Sequence, residues 1–262
     1  MSNENYKKLK DLHLSNMANY YQNYGSSQEF AELDFDTKLA ILLDFEINAR
    51  FNKKIAALAK KANFKIKPDI STIDYSPERN LSRDLIMNLS SGTWIAKGKN
   101  LIISGATGTG KSYLASALGY RACLLNYKVL YVRLPRLMLD INISKNDGSY
   151  NKLMNKYKNV DLLILDDFGL AKLTASETRD FLELIEDRNT IKSCMIVSQL
   201  PLSNWYDIFF DPTLADAIMD RLQSSSYKIE LKGPSKREKM HNDIEWVDLL
   251  YYHWLYQQGI LA

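Results

Sequence analysis

The stretch "NLIISGATGTGKSYL", residues 100–114, decides how this 262-residue chain folds. Its centre, "GATGTGKS" (105–112), satisfies G-x-x-x-x-G-K-[ST] at every position. That spacing has a physical reason. Gly105, Gly108 and Gly110 let the backbone curl until successive N–H groups point at phosphate oxygens. A helix beginning near Lys111 adds its positive end to the same place. Lys111 is long enough to reach the β- and γ-phosphates, and the Ser112 hydroxyl is a ligand for Mg2+. An apolar run enters the loop and a helical pattern leaves it, which is the setting the motif requires. We therefore read Gly105, Ala106, Thr107, Gly108, Thr109, Gly110, Lys111, Ser112 and Tyr113 as a nucleotide-binding loop, with ATP and Mg2+ as expected cofactors.

Downstream, "KVLYVRL" (128–134), "DLLILDD" (161–167), "CMIVSQL" (194–200) and "YKIELK" (227–232) read as further strands, and "SYLASALGYRACLLN" as a helix with Leu114, Leu118, Ala122 and Leu125 on one face. "TASETRDFLELIEDRN" opens with the Thr174-x-x-Glu177 pattern of a capping box. Strands alternating with helices imply an α/β domain with a parallel sheet covered on both faces. In "VDLLILDDFGL" (160–170) the Asp-Phe-Gly triplet resembles the metal-binding triplet of protein kinases, but no His-Arg-Asp catalytic loop precedes it. As a Walker B strand the same residues make sense. Asp166 is expected to bind Mg2+ through water beside Ser112. Asp167, on the other face of the strand by alternation, is expected to orient and deprotonate an attacking water. Ser198 and Gln199 end the next strand, and Gln199 is the candidate to complete the water site.

The chain is 46% hydrophobic and 25% charged with net charge +3, the composition of a globular protein. Cys123 and Cys194 lack metal-ligand spacing and read as buried thiols. With no membrane span and no secretion signal, the expected location is cytoplasmic. Residues 1–75 read as a small N-terminal helical domain, 76–240 as the ATPase domain and 241–262 as an aromatic helical tail. The N-terminal part carries two apolar stripes, Leu9, Leu12 and Met17, then Leu39, Leu42, Leu43 and Ile47, with Asp36 as a cap for the second.

"LLILDDFG", "SQLPLSNWYDIFFDPTLADAIMDRL" and "IELKGPSKR", in this order after "GATGTGKS", resemble the IstB family. These are ATP-dependent helpers of insertion-sequence transposition, of the AAA+ class and close to DnaC-type helicase loaders. The resemblance implies an AAA+ P-loop fold with a five-stranded parallel sheet of order 5-1-4-3-2. It also implies an ATP-dependent oligomer on target DNA that recruits and stimulates a partner transposase. The rival implied by the same core is a DnaC- or DnaI-type replicative helicase loader. Arg221 of "DRL" looks like the arginine finger that reaches a neighbour's γ-phosphate; without the family, it reads as a surface ion pair. Arg237 of "GPSKR" sits where relatives carry a second sensing arginine. Family members often have Asp-Glu at the Walker B pair or Asn at the sensor, where this chain has Asp167 and Gln199.

Two basic stretches are candidates for DNA. "RFNKKIAALAKKANFKIK" (50–67) offers Arg50, Lys53, Lys54, Lys60, Lys61, Lys65 and Lys67 without an acid. The segment between the second and third strands offers Arg133, Arg136, Lys145 and Lys152. Neither has a zinc knuckle or a helix-turn-helix signature, so backbone and shape contacts are expected.

Overall fold

The computed structural model describes residues 3–64 and 70–236. Lys65, Lys67, Arg237 and the tail 241–262 lie outside the described residues. Helices α1 (Asn3–Asp11), α2 (Ser15–Tyr24), α3 (Gln28–Glu32) and α4 (Phe35–Ala62) come first, then α5 (Arg83–Ser90) and α6 (Thr93–Ala96). There follow β1 (Asn100–Gly105), α7 (Lys111–Leu124), β2 (Val129–Arg133), α8 (Leu134–Asn146), α9 (Tyr150–Lys158) and β3 (Leu162–Phe168). The chain continues through α10 (Ala175–Arg188), β4 (Ser193–Ser198), α11 (Pro212–Gln223) and β5 (Ser226–Leu231).

The sheet has the order β2-β3-β4-β1-β5 with every pair parallel, the expected 5-1-4-3-2 read from the other edge. Strand parity sorts its side chains onto two faces. Leu101, Ile103, Tyr131, Leu162, Ile164 and Val197 pack with α5, α6 and α7. Ile102, Val132, Leu163, Leu165 and Ile196 pack with α8 to α11. The central strands are apolar at nearly every position because both faces are covered. Both cysteines are buried and free. Thr174 and Glu177 form the expected capping box on α10. No helix among the described residues is long and apolar enough to cross a membrane.

The N-terminal helices depart from the sequence expectation in two ways. Asp34, not Asp36, caps α4: its extended backbone (φ −70, ψ 168) lets the carboxylate accept from Thr37 N–H, while Asp36 lies in the first turn. The second stripe is largely uncovered. Leu42 joins Met17 and Phe30 in a small core, but Leu39, Leu43 and Ile47 face water, as does Leu12. The C-terminal end of α4 leaves this small core, and Ala62 is buried in the cluster around α7.

Candidate nucleotide site

The phosphate loop joins the carboxyl end of β1 to the first turn of α7, which starts at Lys111. Two of its glycines have no substitute. At Gly105 (φ 141) a Cβ would stand 2.2 Å from the Leu231 carbonyl oxygen, and at Gly108 (φ 83) it would meet Ser235 at the same distance. Thr109 is buried, its hydroxyl donating to the Ala106 carbonyl at 2.8 Å. Lys111 is also buried, and its Nζ donates to that same carbonyl at 2.8 Å. Thr107 Oγ1 donates to Gln199 Oε1 at 2.6 Å, so the residue just past β4 does sit on the loop. Ser198 is instead buried, its hydroxyl donating to the Phe168 carbonyl. Tyr113 hydrogen-bonds Thr72.

β3 delivers Asp166 to this edge, and parity puts its side chain on the α7 face. It is 2% exposed. Its Oδ1 accepts from the Asp167 amide at 2.8 Å and its Oδ2 from the Tyr131 hydroxyl. Ser112 is close enough to the Tyr131 hydroxyl to lower its pKa, so one phenol stands beside both expected metal ligands. Burial, then the Asp166 carboxylate, push the Tyr131 pKa up, which keeps it a neutral donor.

Asp167 is turned away from Asp166, but not by simple alternation. The register between β3 and β4 shifts between Leu165 and Phe168, and Asp167 takes a left-handed backbone, φ 57. For an aspartate this conformation is tolerated, though uncommon. The irregularity also sends Phe168, the centre of the kinase-like triplet, into an aromatic cluster with Phe181, Trp205 and Phe209. The Asp167 carboxylate pairs with Arg133 at the end of β2. That hydrogen bond and charge raise the Arg133 pKa.

Sequence reasoning missed Arg79, in the connector before β1. It is 6% exposed, with Nη2 donating to the Thr109 carbonyl at 2.6 Å and Nη1 to the Asp74 carbonyl at 3.1 Å. Nothing in a Pro- and Ser-containing connector signalled it. Tyr131 was equally missed, although its register beside Ile164 and its parity with Asp166 would have pointed to it. From the other side Lys236 N–H donates to the Gly108 carbonyl at 2.9 Å, and its ammonium pairs with Asp74.

Arg221 is not brought to this loop. Its carbonyl accepts from Asn100 Nδ2 at 3.0 Å, and Asn100 begins β1 whereas the loop follows the other end. Six residues of strand separate the two, roughly 17 Å at the usual rise. The Arg221 guanidinium pairs with Glu186 and donates to the Ala217 carbonyl at 2.8 Å.

The DNA candidates divide in the same way. Lys53, Lys54, Lys60 and Lys61 are exposed on α4, with no ion pair among the described residues. Arg50 pairs with Glu46 at 2.7 Å and donates to the His13 carbonyl. In the other stretch Arg133 is taken by Asp167, Arg136 by Asp140 at 2.9 Å and Lys145 by Asp180 at 2.6 Å. Of the four candidates there, Lys152 is exposed and outside any described ion pair.

A glycine-rich loop at a helix start, a buried lysine, a hydroxyl and a buried carboxylate suit a triphosphate and a hard, oxygen-preferring cation. Ser112 and Asp166 could hold Mg2+, with Lys111 on the phosphates. Residues 7–243 match the model of the family described as IstB-like ATP binding protein. The chain is 41% identical over 230 residues to a protein of Sinorhizobium fredii provisionally named an insertion sequence ATP-binding protein, covering 88% of this chain and 94% of that one. It is 38% identical over 204 residues to a similarly named protein from an insertion sequence of Pseudomonas fluorescens, covering 78% and 88%. Among solved structures, the DnaC helicase loader superposes with a TM-score of 0.57 at 17% identity, over 64% of this chain and 98% of that one. That likeness speaks for the AAA+ fold alone. With the phosphate loop, the Walker B edge and the sheet order agreeing with the family match over most of its length, this chain belongs to the IstB-like family of ATP-binding proteins.

Proposed function

We propose that this chain is an ATP-hydrolysing, DNA-binding AAA+ protein that self-associates on target DNA and stimulates a partner transposase during insertion-sequence transposition. The observation that carries the self-association is the position of Arg221. It lies at the edge of the sheet opposite its own phosphate loop, so a γ-phosphate within its reach belongs to another copy. A cation supplied in that way stabilises charge developing on the transferred phosphoryl group. Within one copy, Lys111 neutralises the phosphates, and Ser112 and Asp166 hold the cation that screens them. Gln199 and Asp167 orient water, with Asp167 taking its proton. Arg133 restrains Asp167 in the structure described here. A DNA phosphate competing for that guanidinium frees the carboxylate, which couples DNA contact to hydrolysis. Among the candidate cations, Lys53, Lys54, Lys60, Lys61 and Lys152, outside any described ion pair, are free to meet the DNA backbone alongside Arg133. ATP binding then favours assembly, and hydrolysis removes the differential contact.

The test is the size and DNA retention of the protein with ADP, with ATP, and with ATP after Asp167→Asn. Growth in size and retention with ATP, persisting in the variant, supports the reading. Arg221→Ala is expected to bind nucleotide and fail to grow. No ATP-dependent growth in wild type, or an Arg221→Ala variant that assembles normally, overturns it.

A further inference from the structure

Beside Lys111 the phosphate loop touches a second buried cation. Arg79 ends a single 3-10 turn, Pro77–Arg79, and is 6% exposed. Its Nη2 donates to the Thr109 carbonyl at 2.6 Å and its Nη1 to the Asp74 carbonyl at 3.1 Å. The Asp74 carboxylate is taken by the Lys236 ammonium and by the Ser76 amide at 2.8 Å. No carboxylate makes an ion pair with Arg79 among the described residues. Burial pushes the Arg79 pKa down, yet a guanidinium stays charged at any ordinary pH. Such a charge is costly to bury unless a countercharge comes near, and the loop it touches is where phosphates are expected. We propose that Arg79 is a positioning residue for the nucleotide: it fixes and polarises the Thr109–Gly110 peptide, and its charge joins that of Lys111 in compensating the phosphates.

The geometry of one peptide unit carries the argument. A trans peptide points its carbonyl and its N–H in opposite directions. A donor held on the Thr109 carbonyl therefore fixes the Gly110 N–H on the opposite side of the loop. Hydrogen bonds through one peptide also strengthen each other, and a charged donor does so more than a neutral one. The preceding peptide is gripped in the same way by a neutral donor, the Lys236 N–H on the Gly108 carbonyl at 2.9 Å. Two consecutive carbonyls are thus held from outside, which leaves their N–H groups for an anion. Gly110 fits this role twice over. Its backbone is left-handed (φ 88), and a Cβ there would stand 3.0 Å from Arg79 Nη2. Arg79 is itself anchored before any ligand binds. Its N–H donates to the Ser76 carbonyl at 2.9 Å, and its carbonyl accepts from the Lys232 N–H at 3.2 Å. Next to it, Asn80 Nδ2 donates to the Glu230 carbonyl at 3.1 Å, so the turn is tied to β5. The inference rests on the nucleotide reading of the loop and requires neither hydrolysis nor self-association.

Calorimetric titration of the full chain with ATP, ADP and AMP, in EDTA so that no turnover intervenes, tests it. Three replacements separate charge, hydrogen bond and packing. Arg79→Lys keeps the charge and a donor, Arg79→Gln keeps a donor without the charge, and Arg79→Met keeps neither. Circular dichroism matching wild type establishes that each variant is folded, and the Lys and Gln variants decide the matter alone if Met is not. Arg79→Gln and Arg79→Met are expected to weaken ATP and ADP about tenfold or more, the range of a lost charged hydrogen bond. AMP, which lacks the β- and γ-phosphates, is expected to weaken less than about threefold in the same variants. Arg79→Lys is expected to bind ATP within about threefold of wild type, because the charge and one donor remain. An Arg79→Gln variant that binds ATP as wild type does overturns the proposal. So does an Arg79→Lys variant no better than Arg79→Gln, which would leave Arg79 a strut whose charge is irrelevant. Equal weakening of ATP and AMP overturns it as well. A wild type that binds none of the three overturns the nucleotide reading itself, and this inference with it.

Discussion

The body around the sheet and the N-terminal helices solve the same problem with different means. Around the sheet, two large apolar clusters fill both faces, and the buried charge of Arg188 is held by main-chain carbonyls. Arg188, 1% exposed, donates to the carbonyls of Tyr157, Lys158, Val160 and Ser193 at 2.6–3.1 Å, tying α9, the entry to β3 and the start of β4. The region of α1 to α3 and the first half of α4 rests on Met17, Phe30, Leu42 and one buried carboxylate, Glu46. It leaves a row of large side chains in water. The difference teaches where stability must be. A loop expected to hold phosphates needs a rigid frame, whereas a small helical cluster with little core is stabilised further only by what it docks against.

The comparison breaks first at Arg188. Arg188→Ala leaves several buried carbonyls without a donor and a cavity between elements. The expected loss is about 3 kcal/mol or more in urea unfolding, with weakened nucleotide binding at temperatures where wild type is intact. If it costs no more than a change at Glu46, the contrast between the two regions is wrong.

Glu46 is the N-terminal counterpart. α2 has Leu14 at its N-cap position and no side-chain cap of its own. Glu46, from α4, accepts the Asn16 and Met17 amides at 2.8 Å, doing a cap's work across 30 residues of sequence. Burial pushes its pKa up, but the Met17 amide, Arg50 and the Asn16 donors outweigh this, and the net direction is down. A carboxylate whose folded pKa lies below its ordinary 4.5 stabilises fully above that pH and loses the contribution as pH falls through the folded value. The N-terminal helices are therefore expected to loosen in acid below about pH 4.5, seen as faster amide exchange in α2. Glu46→Gln is expected to cost roughly 1–2 kcal/mol locally and to remove that acid dependence while nucleotide binding holds. Unaltered exchange in α2 would show that the region does not depend on this carboxylate.

These two regions were unequally legible in the sequence. The phosphate loop and the capping box at Thr174 are local patterns, set by backbone conformation over a few residues, and both appear where expected. Periodicity located the apolar face of α4, but periodicity cannot say whether anything covers that face. Asp34 and Asp36 are both suitable caps by type; only the backbone at residue 34 chooses between them. Arg133 looked like one cation in a basic segment because its partner, Asp167, lies on the neighbouring strand. Asp167 itself turns by a left-handed residue and a register shift, which alternation does not foresee. Arg188 attracted no notice for a related reason: its acceptors are main-chain carbonyls that carry no sequence signature.

The smallest change falls where the rigid frame meets the chemistry. Tyr131 stands on β2, and its hydroxyl donates to Asp166 beside Ser112, so it helps to orient Asp166 toward the other expected Mg2+ ligand. Phenylalanine fills almost the same volume, and the packing on the α7 face survives. Tyr131→Phe is therefore expected to lower stability by about 1 kcal/mol or less, since one hydrogen bond is lost without a cavity. The carboxylate of Asp166, left with the Asp167 amide, is then free to rotate away from Ser112. Nucleotide affinity in EDTA should match wild type, because Lys111 and the loop amides are untouched. The Mg2+ concentration that half-maximally tightens nucleotide binding should rise about three- to tenfold, equivalent to roughly 0.7–1.4 kcal/mol of lost orientation. A shift in affinity of equal size with and without Mg2+ would mean that Tyr131 shapes the loop and not the metal ligands. An unchanged Mg2+ titration would mean that the frame alone, through β3 and the Asp167 amide, holds Asp166 in place.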